Sequence, residues 1–83
     1  MDKKLIGKIA HFYPKISVAV IDLTDTLKVG DKISIERSTD SFEQVVKSMQ
    51  IEHKNIQIAK KGESIGITVD KPTKEGAKVF KVI

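Results

Sequence analysis

The 83-residue chain lacks cysteine and tryptophan, and its only aromatic residues are one tyrosine and three phenylalanines. Without cysteine, neither a disulfide nor a cysteine-ligated zinc or iron–sulfur site can form. No stretch approaches the roughly 18 consecutive apolar residues of a membrane helix. The apolar run of a signal peptide does not follow Lys3 and Lys4. These absences predict a soluble, cytoplasmic chain with no membrane association, folded as one domain over residues 1–83.

Sequence signatures of catalysis are also missing. No glycine-rich loop leads into a Lys-Ser or Lys-Thr pair, which argues against a nucleotide site of the P-loop type. The two histidines, His11 and His53, lie far apart, and Glu52 beside His53 would point to the opposite face of a strand. No serine stands in a nucleophile elbow. We therefore expect no enzyme activity, no cofactor and no metal.

Lysine dominates the charged residues. The net charge is +4, and the only basic residue that is not lysine is Arg37. Residues 60–83 carry a net charge of +3, whereas residues 31–59 carry −1. A basic segment can attract phosphate, but lysine also keeps strand faces soluble and discourages edge pairing. Abundant Lys and Glu are in addition typical of heat-adapted proteins.

Hydrophobic periodicity favours strands throughout the chain. The apolar residues are mostly Ile and Val, which prefer strands, and no window carries the apolar stripe of a helix. Strict alternation marks residues 32–37 and 64–69, whereas residues 16–23 are apolar on both faces, as in a central buried strand. The alternation slips within residues 42–51, which predicts a bulge near residues 47–48. Residues 6–12 and 77–83 complete the set of expected strands.

Glycine recurs two or three residues before an inward-facing aliphatic residue. Gly30, Gly62 and Gly76 each occupy such a position, where glycine supplies the positive φ of a tight turn. Many short strands separated by regular turns indicate a sandwich or a barrel. In so short a chain, closure is attractive because it removes exposed edges. We expect an all-β domain, a small closed barrel of six to seven strands.

One exposed aromatic patch is a candidate binding site. His11, Tyr13 and Lys15 cluster around a predicted strand end, and aromatic platforms beside cations are typical of nucleic-acid binding. The same residues also suit a plug that closes one end of a barrel around a tyrosine corner. The sequence slightly favours this structural interpretation.

Several motifs resemble the second domain of translation elongation factors, particularly elongation factor one-alpha. V-K-S-M-Q-I-E-H at residues 46–53 is similar to that family's V-K-S-V-E-M-H-H. A-K-K-G-E-S-I-G-I follows at residues 59–67, where the family has A-x-x-G-D and a strand entry. G-K-I at residues 7–9, L-K-V-G-D at 27–31 and E-G at 75–76 resemble further strand and turn motifs. The likeness covers almost the whole chain and implies a six-stranded Greek-key barrel.

The resemblance implies a role at the acceptor end of tRNA, without the GTPase domain. Gln50 stands where the family has the glutamate of its terminal-adenosine pocket. The predicted function is accordingly a non-catalytic binding module for tRNA, rRNA or a translation-related protein. Its expected RNA-binding residues are His11, Tyr13, Lys15, Gln50, His53, Lys60, Lys61 and Lys74.

A second resemblance leads to an alternative function. The L-K-V-G-D turn and the closing turn at residues 75–76 are similar to those of a small barrel that ends the collagenase-like peptidases. That likeness, with the balanced charge of residues 31–59, suggests a protein-interaction module acting beside a larger enzyme or translation factor. The sequence leaves both functions open, because fold likeness alone does not establish function.

Overall fold

The chain folds into β-strands joined by short turns. The computed structural model describes residues 2–38 and 40–83, and within them there are ten strands and no helix. Ile and Val populate most strand interiors because their branched side chains pack well on a pleated surface. The strands are β1 (Lys3–Tyr13), β2 (Val18–Leu23), β3 (Leu27–Lys28), β4 (Lys32–Glu36), β5 (Ser41–Val45), β6 (Met49–Ile51), β7 (Lys54–Ile56), β8 (Ile58–Ala59), β9 (Ser64–Thr68) and β10 (Lys78–Val82).

Eight of these strands form one antiparallel sheet. Its order is β5-β4-β10-β1-β2-β9-β6-β7, and β3 and β8 pair separately. The sheet wraps around a core of inward-facing aliphatic side chains. Representative members are Ile21 and Ile67 on neighbouring strands, with Met49 beside them. The isoleucines and valine expected to face inward in residues 32–37 and 64–69 are buried: Ile33, Ile35, Ile65, Ile67 and Val69. In β4 the intervening Ser34 is buried as well, so the alternation in burial is not strict there.

The longest strand, β1, bends at two irregularities. Its register with β10 shifts between Leu5 and Gly7, and its register with β2 shifts between Ile9 and His11. Such irregularities bend a strand and increase its twist. The bends therefore let β1 curve around the core while it pairs with a neighbour on each side.

The break between β5 and β6 replaces the bulge expected near residues 47–48. Residues 46–48 leave the sheet, and the chain changes partners there. Strand β5 pairs with β4, whereas β6 pairs with β7 and β9. The slip in hydrophobic alternation therefore marks the end of one strand and the beginning of another.

Backbone pairing within residues 2–38 and 40–83 does not close the eight-stranded sheet. Strands β5 and β7 are its two edges, so the expectation of a closed barrel of six to seven strands is not confirmed. The side chain of Gln44 on β5 spans the opening instead. Its Nε2 donates to the carbonyl oxygen of Thr68 at 2.9 Å, and its Oε1 accepts from the N–H of Asp70 at 2.8 Å. These two hydrogen bonds join β5 to the residues at the end of β9.

The described part of the chain contains no helix long and apolar enough to cross a membrane.

Candidate functional site

A groove of about 520 Å³ lies on the outer surface of the sheet. It crosses β2, β9 and β6 and is bordered by the β1–β2 turn and the β6–β7 turn. Its lining consists of Tyr13, Ile16, Val18, Val20, Gln50, Glu52, His53, Ser64, Ile65 and Gly66.

Strand register explains the groove's floor. Val20 of β2 lies opposite Gly66 of β9, and Gly66 lies opposite Gln50 of β6. Because Gly66 has no side chain, the surface is lowest between these two neighbours. A Cβ atom added at residue 66 would lie 3.4 Å from Cγ1 of Val18, so even alanine would begin to fill the groove.

The two bordering turns hold the backbone in an unusual conformation. Within residues 2–38 and 40–83, three non-glycine residues have positive φ, namely Ser17 at 54°, Glu52 at 50° and His53 at 66°. Ser17 belongs to the β1–β2 turn, and its carbonyl accepts a 2.8 Å hydrogen bond from Val69 N. Glu52 and His53 form the two-residue β6–β7 turn, a position that normally favours Asn-Gly. Non-glycine residues in this region carry strain, and such strain concentrates at functional sites.

The groove has an apolar end and an acidic end. Ile16 and Tyr13 lie beside Val18, and their exposed fractions are 64% and 47%. Extending the β6–β9 register two residues beyond Gln50 and Gly66 puts Glu52 at the level of Ser64, toward the opposite end. The Oγ of Ser64 donates to Oδ1 of Asp22 at 2.6 Å. Among the described residues that line the groove, none is a lysine. The groove therefore differs in charge from the lysine-rich surface around it.

Three of the eight predicted RNA-binding residues line the groove: Tyr13, Gln50 and His53. Gln50 Nε2 donates to Oδ1 of Asn55 at 3.0 Å, which orients the Gln50 amide across β6 and β7. Lys15 belongs to the β1–β2 turn next to Ile16, outside the lining.

His11 lies just outside the groove. Its ring meets that of Tyr13 edge-on at a centroid distance of 4.3 Å, and its Nδ1 lies 3.0 Å from Oε1 of Glu75. It borders a separate depression that also includes Lys74. This contact ties the start of the groove to the turn before β10.

The other predicted lysines do not gather around Gln50. Lys60 and Lys61 belong to the turn before β9, whose Gly62 N–H donates to the carbonyl of Leu23 at 3.0 Å. They therefore lie near the Leu23 end of β2, whereas Lys15 is near its Val18 end. Lys74 lies in a third turn, beside His11. The glycines of these turns, Gly62 and Gly76, have φ of 89° and 87°, and Gly30 has φ of 97°.

Seven residues of the groove were not predicted from the sequence: Ile16, Val18, Val20, Glu52, Ser64, Ile65 and Gly66. A signal was present, because residues 16–23 are apolar on both faces. That pattern was interpreted as burial on both sides of a central strand. Strand β2 is indeed central, but Val18 and Val20 are only half-buried and form the groove's floor.

The clearest pKa shifts lie elsewhere on the surface. A hydrogen bond from Lys4 lowers the pKa of Asp25, and one from Lys3 lowers the pKa of Glu36. The Arg37 guanidinium lowers the pKa of Asp40 through two hydrogen bonds of 2.9 Å. Across residues 2–38 and 40–83, no three His, Asp or Glu side chains form a group that could hold a metal ion.

Comparisons with known proteins connect this chain to peptidases. It is 49% identical over 76 residues, 90% of its length, to an uncharacterized protease from Methanocaldococcus jannaschii, and it spans only 19% of that protein. No protein-family model matches the chain.

Solved structures with the same fold come from a Geobacillus thermoleovorans protein assigned as a U32 peptidase. A crystal structure of its C-terminal domain superposes with a TM-score of 0.90 at 16% identity, covering 96% of this chain and 93% of that domain. The selenomethionine variant of that domain gives 0.87 at 15% identity, covering 92% and 96%.

These comparisons overturn the translation-factor interpretation. The chain's match is to a protease, and the fold matches are to a peptidase's C-terminal domain rather than to elongation factor domain 2. The short L-K-x-G-D motif misled because its glycine serves a turn: Gly30 needs positive φ, and unrelated small β-domains share that need. The prediction of a translation-related RNA-binding module is therefore wrong. The alternative, an interaction module beside a larger enzyme, fits the comparisons better.

Proposed function

We propose that this chain is a non-catalytic domain that acts beside a peptidase catalytic region through protein–protein contacts. The observation that carries the proposal is the 49% identity to a segment making up 19% of an uncharacterized protease. In that relative, the similar segment is physically joined to a much larger remainder. A domain with the same fold stands at the C-terminus of the Geobacillus protein, which supports the same relationship.

The character of the surface supports binding rather than catalysis. The groove combines exposed apolar side chains with a few polar groups, as protein-binding surfaces do. Its size is small for a complete interface, so a catalytic region would also contact the surrounding strands. Any peptide-bond cleavage would then belong to the partner, and this domain would position or stabilise it.

A binding experiment with the relative tests this proposal. The Methanocaldococcus protease is prepared without the segment that resembles this chain, and the 83-residue chain is titrated into it by calorimetry. We expect a one-to-one complex. The intact protease is the matched control, because its own segment should occupy the site and weaken binding of the added chain.

Two results would contradict the proposal. One is the absence of binding to the shortened protease when that protein is demonstrably folded. The other is hydrolysis of an unstructured protein such as casein by the 83-residue chain alone.

A further inference from the structure

We propose that the groove binds an extended protein segment of about four residues, with apolar side chains at the Ile16 end and a basic side chain at the Glu52 end. Only the source of this segment, the catalytic region, rests on the proposed function. The chemistry of the segment follows from the groove itself.

The length of the segment follows from strand register. The groove runs from the level of Val18 to the level of Ser64, which pairs with Asp22, four residues further along β2. At about 3.3 Å per residue, this distance is about 13 Å. An extended tetrapeptide has this length. The missing side chain at Gly66 lets a peptide backbone approach the middle of the floor closely.

The apolar end calls for apolar side chains. Ile16 is 64% exposed beside Tyr13, and the half-buried Val18 and Val20 continue that surface along the floor. Covering these groups removes apolar area from water, which is favourable at about 25 cal/mol per Å². RNA is a poor occupant, because the described lining offers no lysine for its phosphates.

Charge complementarity determines which ligand side chain suits the Glu52 end of the groove. Glu52 is the carboxylate that lines the groove, and the neighbouring Ser64 hydroxyl is bound to the carboxylate of Asp22. This acidic end belongs to a chain whose net charge is +4. A lysine or arginine side chain on the partner segment would meet the carboxylate of Glu52 there, whereas an acidic side chain would be repelled.

The strained turns favour a preformed site. Glu52 and His53 hold positive φ in the β6–β7 turn, and Ser17 does so in the β1–β2 turn. Both turns are tied to strands, by the Ile51–Lys54 pairing and by the Val69–Ser17 hydrogen bond. Walls that are already in place lose little conformational freedom when a ligand binds.

Peptide titration by NMR tests the inference without the protease. The probes are acetyl-Ile-Leu-Val-Lys-amide, the reversed sequence acetyl-Lys-Val-Leu-Ile-amide, and both peptides with Glu in place of Lys. They are added to the isotopically labelled chain at millimolar concentrations. We expect amide shifts centred on Val18, Val20 and Gly66, with tighter binding of at least one Lys peptide than of its Glu counterpart.

Surface variants sharpen the test. Ile16→Ser should weaken Lys-peptide binding about ten-fold through lost apolar contact. Glu52→Gln should weaken it about three-fold and reduce the preference for Lys over Glu. Ile83→Ser is the matched control, because Ile83 is 70% exposed and lies outside the groove, and it should leave binding unchanged. The amide spectra report directly whether each variant is folded.

Several outcomes would overturn the groove proposal. They are the absence of shifts, shifts centred outside the groove, and equal affinity for Lys and Glu peptides. Shifts that depend on protein concentration without peptide would identify a second copy of the chain as the occupant instead. The proposed function is judged separately: if the shortened protease binds Ile16→Ser and Glu52→Gln as tightly as wild type, the function stands and the groove is not its docking site.

Discussion

Glycine residues in this chain meet two different structural requirements. Gly30, Gly62 and Gly76 have positive φ and open space around the position of a Cβ atom. Gly7 is different, because a Cβ there would lie 2.5 Å from the carbonyl oxygen of Asp22 and 2.9 Å from Cγ2 of Ile21. Gly7 therefore permits the close approach of β1 and β2, whereas the other three permit turns.

This distinction predicts unequal effects of alanine. Gly62→Ala should reduce the free energy of unfolding by about 1 kcal/mol through backbone strain alone. Gly7→Ala should reduce it by about 2–3 kcal/mol, because backbone atoms must move to admit the methyl group. Urea denaturation of both variants gives the comparison. Equal losses, or a smaller loss at Gly7, would contradict the close packing of β1 on β2.

At the scale of strands, the Gln44 side chain links two strands that are not neighbours in the sheet. It joins β5 to the end of β9 across the opening of the sheet, using both its donor and its acceptor. Gln44 is buried, so water does not readily replace it. Loss of the amide would leave the Thr68 carbonyl and the Asp70 N–H without these partners.

We therefore expect Gln44→Leu to destabilise the chain by about 1–3 kcal/mol, since it removes two hydrogen bonds that each contribute about 0.5–1.5 kcal/mol. Gln57→Leu is the control: Gln57 is exposed, and its replacement should change stability by less than about 0.5 kcal/mol. Thermal and urea unfolding measure both. A Gln44→Leu variant as stable as wild type would mean that the sheet is held together without this bridge.

Strand alternation was the most informative part of the sequence, but it could not identify strand partners. Isoleucines at every second position predicted which face of β4 and of β9 is buried, because a one-residue shift in register would expose the whole row of isoleucines. The split of residues 42–51 into β5 and β6 did not follow, since the local pattern is the same for a bulge and for a change of partner. The groove was missed for a similar reason: Val18 and Val20 are apolar whether they face a second layer or open solvent.

At the scale of the whole molecule, surface ion pairs connect distant parts of the chain. Lys3 pairs with Glu36 and Lys4 with Asp25 across the fold, whereas Arg37 and Asp40 form a local pair three residues apart. The folded-state pKa values of these three carboxyl groups are lowered, chiefly by hydrogen bonds from their basic partners. A lowered folded-state pKa means that the unfolded chain takes up protons first as the pH falls.

Stability should therefore decline in acid. The contribution of these carboxylates is present above their ordinary pKa values of 3.8 for Asp and 4.5 for Glu, and it is lost as the pH falls through the lower folded-state values. The double variant Glu36→Gln and Asp40→Asn should melt below wild type at neutral pH and converge on it in strong acid. Calorimetric Tm values across pH measure this. A Tm difference that stays constant from neutral pH to strong acid would show that the ion pairs are not its cause.

Short motifs are too local to distinguish between families of similar fold. The turns at residues 27–31 and 59–67 indicated the correct class of small β-domain, because the backbone of these turns requires glycine at positive φ. They could not separate two families that share such turns. Only similarity along 90% of the chain distinguished a peptidase relative from an elongation factor.

The two hydrogen bonds of Gln44 also mark the place where the sheet should open locally most often. Breaking these two hydrogen bonds would separate β5 from the end of β9. Backbone hydrogen exchange should therefore be faster in β5 and at the end of β9 than in the other strands. Thr68, which anchors the bridge, is also the cross-strand neighbour of Val18 in the groove. A ligand that holds β9 in place should therefore slow exchange in β5, on the far side of the opening, without touching it.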